Sequence, residues 1–134
     1  MIQSAAMVGR QKQPFVAVVD DDAGVRKAIQ NVLRSDGLQS RGYSSGEEFL
    51  RSGTGLRAGC LVLDVHLRGM SGHALYRHLQ DKGSRMAVIF VTAGQPSAQL
   101  LQAGALAVLT KPFDPSELLR LVRSALAAHS LPPP

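Results

Sequence analysis

Tryptophan is absent from this 134-residue chain, aromatic residues make up only 4% of it, and a single cysteine stands at position 60. One thiol cannot close an internal disulfide, so a cross-linked extracellular scaffold is excluded and a reducing compartment is expected. No apolar run approaches the roughly 20 residues that span a bilayer, and the N-terminus lacks the charged-then-apolar layout of a signal peptide. The chain is therefore read as soluble and cytoplasmic, with no membrane partner. It contains no G-x-G-x-x-G, no Walker loop, no G-x-S-x-G and no Cys/His metal spacing, which removes the common nucleotide, hydrolase and zinc chemistries. His73 and His78 are five apart and do not share a helical face. Nor is there a compact basic run. The net charge is +5, but the arginines are scattered and no stacking aromatics lie between them. A nucleic-acid-binding reading then rests on charge alone and lacks a reading helix.

What is present is aliphatic and periodic. Hydrophobic residues make up 45% and charged residues 19%, enough for a core and too little charge for disorder, in a length that suits one domain. Residues 1–13 are polar and small and read as a flexible N-terminal arm. The domain is placed at 14–128, and 129–134, ending in Leu131-Pro132-Pro133-Pro134, as a tail or truncated linker.

Between the ends, short apolar runs alternate with amphipathic stretches. Phe15–Val19, Cys60–Leu63 and Ala87–Val91 read as buried strands; Leu38–Tyr43 and Leu106–Leu109 are weaker ones. Val25, Ile29, Val32 and Leu33 recur at helical spacing, and Gly37 stops that helix. Ser45-Gly46-Glu47-Glu48 is a capping-box pattern, opening a helix with Phe49 and Leu50. Leu75 and Leu79 mark a third helix, stopped near Gly83. Pro96 fits the first turn of a brief fourth helix reaching Ala103. Asp114-Pro115-Ser116-Glu117 opens the last, with Leu118, Leu119, Val122, Ala125 and Leu126 on its apolar face. Five strand–helix repeats with continuously apolar strands predict an α/β domain with a parallel sheet.

Ligands in such folds bind beyond the carboxyl ends of the strands, and these ends carry Asp20-Asp21-Asp22, Asp64, Thr92 and Lys111. If the first and third strands are neighbours, the carboxylates converge and repel one another unless a cation sits among them. An all-oxygen donor set suits Mg2+. A carboxylate can also be a nucleophile toward phosphorus, with a lysine and a hydroxyl available to the phosphoryl oxygens. Each residue alone has a plainer reading: acids capping a helix, a threonine in a turn, a solvated lysine, and Met70 and Met86 as packing. Their joint placement at four strand ends favours chemistry.

Val18-Val19-Asp20-Asp21-Asp22, the stretch from Leu63-Asp64 to Ser71-Gly72, Val91-Thr92-Ala93 and Thr110-Lys111-Pro112-Phe113, taken in order, closely resemble the receiver domains of bacterial two-component response regulators. The match spans about residues 15–127. The resemblance implies a flavodoxin-like (βα)5 doubly wound parallel five-stranded sheet with strand order 2-1-3-4-5. It implies that Asp64 is the phosphoacceptor, Thr92 the switch hydroxyl and Lys111 the phosphate-binding lysine. Mg2+ would be held by Asp21, by Asp20 through water, by Asp64 and by the backbone carbonyl of His66. Asp22 would have a lesser role, and the Lys111–Pro112 bond would be cis. The phosphoryl donor would be a sensor histidine kinase or phosphotransfer protein. The chain would be no enzyme in its own right but a phosphoacceptor assisting its own phosphorylation and dephosphorylation. A homodimer through the face of the fourth helix, fifth strand and fifth helix, and a DNA-binding output domain outside this chain, remain open partners.

Three departures stand out against that resemblance. Arg68 occupies a position where the family usually has proline. The stretch between Thr92 and Lys111 is about three residues shorter than usual, so the fourth helix should be short or partly unwound. Val108 stands where an aromatic usually reports the state of the threonine, so output through that face should be altered. His66 stands two residues past Asp64, a position expected to overlook the phosphate pocket, where it would tune the lifetime of an aspartyl phosphate. A receiver-fold adaptor working without phosphorylation is the alternative. A phosphatase with an aspartyl nucleophile is disfavoured, because residues 65–72 offer no second carboxylate.

Overall fold

The computed structural model describes residues 14–94 and 98–130. The N-terminal arm expected at 1–13, Pro96 and residues 131–134 lie outside these. Five parallel strands form one sheet: β1 (Val16–Val19), β2 (Ser40–Tyr43), β3 (Cys60–Asp64), β4 (Ala87–Thr92) and β5 (Ala107–Thr110). The order is β2-β1-β3-β4-β5, the doubly wound order anticipated above. The helices are α1 (Ala23–Ser35), α2 (Gly46–Ser52), α3 (Gly72–Asp81), α4 (Ala98–Gln102) and α5 (Pro115–Ser130), with a 3-10 turn at Gly55–Arg57. None among the described residues is long and apolar enough to cross a membrane.

Two apolar layers sandwich the sheet. Alternate residues of each strand point to opposite faces. Ala17, Val19, Leu61, Leu63, Val88 and Phe90 meet Phe49 of α2, Leu75 and Leu79 of α3, and Leu100 of α4. Val16, Val18, Cys60, Val62, Ile89 and Val91 meet Ile29 and Leu33 of α1 and Leu118, Val122 and Ala125 of α5. The three central strands are apolar throughout because both of their faces are covered. Cys60 is fully buried in the second layer, and burial pushes its thiol up to about 12.

Local chemistry sets the helix ends. Asp22 caps α1, its Oδ1 accepting from the backbone N–H groups of Gly24 and Val25. Gly37 closes α1 with a left-handed φ of 77°. Ser45 caps α2 by accepting from the Glu48 N–H, but the Glu48 carboxylate reaches back to Ser44 rather than to Ser45. The backbone N–H and hydroxyl of Ser44 hold that carboxyl below its ordinary range.

The fourth helix is only five residues long. Its trailing Ala103 carbonyl accepts from Gln80 Nε2 at 2.6 Å and from the Tyr76 hydroxyl at 3.4 Å, both on α3. Val108 is half-buried against the first layer. There Tyr76 meets Phe90 edge-on, with ring centroids 5.4 Å apart. The last helix runs through Ser130, so residues 129 and 130, assigned to the tail from sequence, are helical.

Candidate functional site

Register places the acids. β1 pairs β3 with Val19 opposite Leu63, so the residues that follow, Asp20 and Asp64, emerge side by side at the carboxyl edge of the sheet. β4 and β5 pair Thr92 with Thr110. The Lys111 backbone N–H then donates to the Thr92 carbonyl at 2.7 Å, and the Lys111–Pro112 bond is cis. The lysine side chain returns toward the acids. Its Nζ lies 3.3 Å from Asp20 Oδ2 and 3.5 Å from Asp64 Oδ2.

Asp20, Asp64 and Thr92 are the only buried polar or charged residues among those described. Burying such groups costs free energy unless they are paired, and here all three sit at one edge of the sheet. Burial pushes the Asp20 carboxyl above its usual range, and the nearby Asp64 charge adds to this. A hydrogen bond from the Asp22 N–H and the Lys111 ammonium oppose it only in part. Asp64 Oδ1 accepts from the His66 N–H at 3.0 Å. Thr92 Oγ1 accepts from the Gly94 N–H at 3.0 Å.

Asp21 completes the cluster. One carboxylate oxygen each from Asp20, Asp21 and Asp64 lies within 4.8 Å of the others. Partial burial raises the Asp21 carboxyl, but the Arg68 backbone N–H and guanidinium outweigh it and hold the group below its ordinary value. Of the acidic triplet, Asp22 follows the plainer reading and serves as the helix cap. The side chain of His66 is exposed; its Nε2 is 3.8 Å from where a Cβ at Gly94 would stand, so the ring leans toward the Thr92 loop.

Three supporting contacts were not foreseen from the sequence. Arg68 reaches across to Asp21. Glu47, read in the sequence only as part of the capping-box pattern, accepts from the Met70 N–H at 3.0 Å and so ties α2 to the loop after β3. Gly72 packs directly on the Asp64 main chain, where a Cβ would overlap the Asp64 carbonyl oxygen and come within 2.9 Å of Val65 Cα. All three join residues far apart in sequence or depend on backbone proximity, so no spacing could signal them. A cavity of about 700 Å3 lined by Leu50, Leu79 and Met86 contains none of the cluster's residues.

Comparison with known proteins places the fold in a family. The family model for the response regulator receiver domain matches residues 16–123. The chain is 35% identical over 126 residues to response regulator protein TmoT of Ectopseudomonas mendocina, covering 89% of this chain and 57% of that protein. It is 37% identical over 114 residues to transcriptional regulatory protein FixJ of Azorhizobium caulinodans, covering 83% and 54%. It thus spans about half the length of these curated relatives. Among solved structures, response regulator StyR superposes with a TM-score of 0.78 at 33% identity, covering 88% of this chain and 61% of that one. FixJ-N superposes with a TM-score of 0.79 at 28% identity, covering 92% and 99%. A family match over most of the chain, the strand order and the buried acids at the sheet edge converge: this chain belongs to the response regulator receiver domains, the signalling modules of two-component systems.

Proposed function

We propose that Asp64 accepts a phosphoryl group from a histidine kinase or phosphotransfer protein, in a site that uses Mg2+. The observation that carries this is the burial of Asp20, Asp64 and Thr92 at one sheet edge, with Lys111 bridging the two carboxylates. The donor set fits a divalent cation: it is all oxygen, closely spaced, and includes a carboxyl whose charge burial opposes. Asp20, Asp21, Asp64 and the backbone carbonyl of His66 would hold it. When bound, the ion neutralises charge on the carboxylates and on the incoming phosphoryl oxygens.

The protein groups divide the rest of the work. A carboxylate oxygen of Asp64 forms a P–O bond while the P–N bond of the donor's phosphohistidine breaks, and the donor imidazole leaves with the electron pair. Lys111 is placed to balance the charge that arrives on Asp64. The Thr92 oxygen already accepts from Gly94, so its own proton is available to a phosphoryl oxygen. Water later returns the carboxylate and releases phosphate, completing a cycle the domain itself assists. The test is intact-mass analysis after a small phosphodonor such as acetyl phosphate. A gain of one phosphoryl group with Mg2+ and none after chelation is expected. No gain in either case overturns the reading and leaves a phosphorylation-independent adaptor, which the five-residue α4 and Val108 would favour.

Output is proposed to run through the α4–β5–α5 face in altered form. Leu101 and Leu106 are exposed there, apolar surface that suits a partner or a second copy. With valine at 108 there is no ring to turn inward behind Thr92. A phosphate mimic should therefore shift backbone amide resonances in the Thr92 loop far more than those of β5. A large conventional rearrangement around Val108 would count against this. The relatives named as transcriptional regulators support a DNA-binding output domain beyond this segment. His66→Ala should change the time course of dephosphorylation, since the ring leans toward the Thr92 loop. Identical profiles for the two proteins would remove His66 from the mechanism.

A further inference from the structure

Among the described residues, two cations pair with the carboxylates of the acid cluster, and they are held differently. Lys111 is shared between two buried carboxylates. Among the described residues Arg68 has Asp21 alone: its backbone N–H and its Nε both converge on Asp21 Oδ2, at 3.1 and 3.3 Å. The Arg68 side chain is 88% exposed. An exposed pair of this kind is weak enough to open readily.

The two donors of residue 68 do different things. The backbone N–H is fixed by the loop after β3 and orients Asp21 whatever side chain stands at 68. The guanidinium adds a full positive charge at the same oxygen. That charge offsets Asp21 beside the neighbouring acids, but it also occupies a group that a divalent cation needs. Two cations cannot share one carboxylate edge without repelling each other.

We propose that Arg68 is an internal competitor for the divalent cation. Its guanidinium neutralises Asp21 in the cation-free protein, and it must swing away before Asp21 serves the ion. Arg68 thereby raises the Mg2+ concentration at which the receiver can be charged. This rests on the reading of Asp20, Asp21 and Asp64 as a Mg2+ site. Arg68 acts through Asp21 and is a positioning residue.

The test is titration calorimetry of the whole chain with MgCl2 at low ionic strength, comparing the natural protein with Arg68→Gln and Arg68→Lys. Arg68→Gln keeps the backbone N–H and removes only the charge. It is expected to tighten Mg2+ binding by about 3- to 10-fold. Arg68→Lys should stay near the natural value. The gap should shrink as KCl is added, because screening weakens an electrostatic competitor and leaves a loop-packing effect untouched. Unchanged or weaker binding in Arg68→Gln, or a gap indifferent to salt, overturns the proposal while leaving the metal site standing. If neither the natural protein nor any variant takes up Mg2+, the metal site falls and this inference with it.

Discussion

Asp64→Asn is expected to abolish Mg2+-dependent gain of a phosphoryl group from a small donor, lowering incorporation at least about 100-fold, to background. The amide has the size of the carboxyl, and its oxygen can still accept from the His66 N–H that now meets Asp64 Oδ1. Lys111 keeps Asp20 as a partner at 3.3 Å. The fold should therefore be preserved while the charge proposed to act as nucleophile is lost. Because Asp64 is one of the charges that push the Asp20 carboxyl up, its removal relieves repulsion in Mg2+-free buffer. The variant should melt no lower than the natural protein without Mg2+, and Mg2+ should stabilise it less. Intact-mass analysis and thermal melting with and without Mg2+ check both halves. A variant that labels as well as the natural chain would move the phosphoacceptor to another residue.

The largest purely structural effect is expected at Gly72, the first residue of α3. Alanine is a better helix former than glycine by about 1 kcal/mol, so propensity alone predicts that Gly72→Ala stabilises the protein. Contact geometry predicts the reverse. The added methyl would overlap the Asp64 carbonyl oxygen and crowd Val65, and both neighbours are backbone. Neither can turn aside as a side chain would, so the start of α3 or the end of β3 must move. The cost should be about 3 kcal/mol, at the upper end for overpacking, seen as a melting temperature lower by roughly 10 °C. Phosphoryl acceptance should fall with it, since the displaced strand end carries Asp64, the proposed phosphoacceptor. Gly83→Ala is the control. Gly83 has a φ of 81° and open space around it, so alanine there meets only backbone strain of about 1 kcal/mol. If Gly72→Ala costs no more than Gly83→Ala, the close approach at Asp64 is not a constraint.

These two glycines show where the sequence could be read and where it could not. β1, β3 and β4 were legible as unbroken apolar runs because helices cover both of their faces. β2 was faint because its Ser40-Arg41-Gly42-Tyr43 lies at the sheet edge and only Tyr43 is buried. The 3-10 turn at Gly55–Arg57 carries no period and was not anticipated. At the site, strand ends pointed to Asp64, Thr92 and Lys111, because a parallel sheet brings its carboxyl ends together. Residue patterning alone could not apportion the triplet, and only the family resemblance set Asp22 apart from Asp20 and Asp21. That Asp22 serves as a cap while Asp20 is buried depends on where β1 stops and α1 starts, and boundaries are the weakest part of a periodicity argument. The Arg68–Asp21 contact spans 47 positions and left no local trace.

The buried sulfur of Cys60 has a practical consequence. Alkylating dyes attack the thiolate, and this group stays protonated and shielded inside the sheet at neutral pH. A cysteine introduced at an exposed site such as Leu101 would then be the single reactive handle on the described surface. A fluorophore attached there could follow signalling in real time without first engineering away a background thiol.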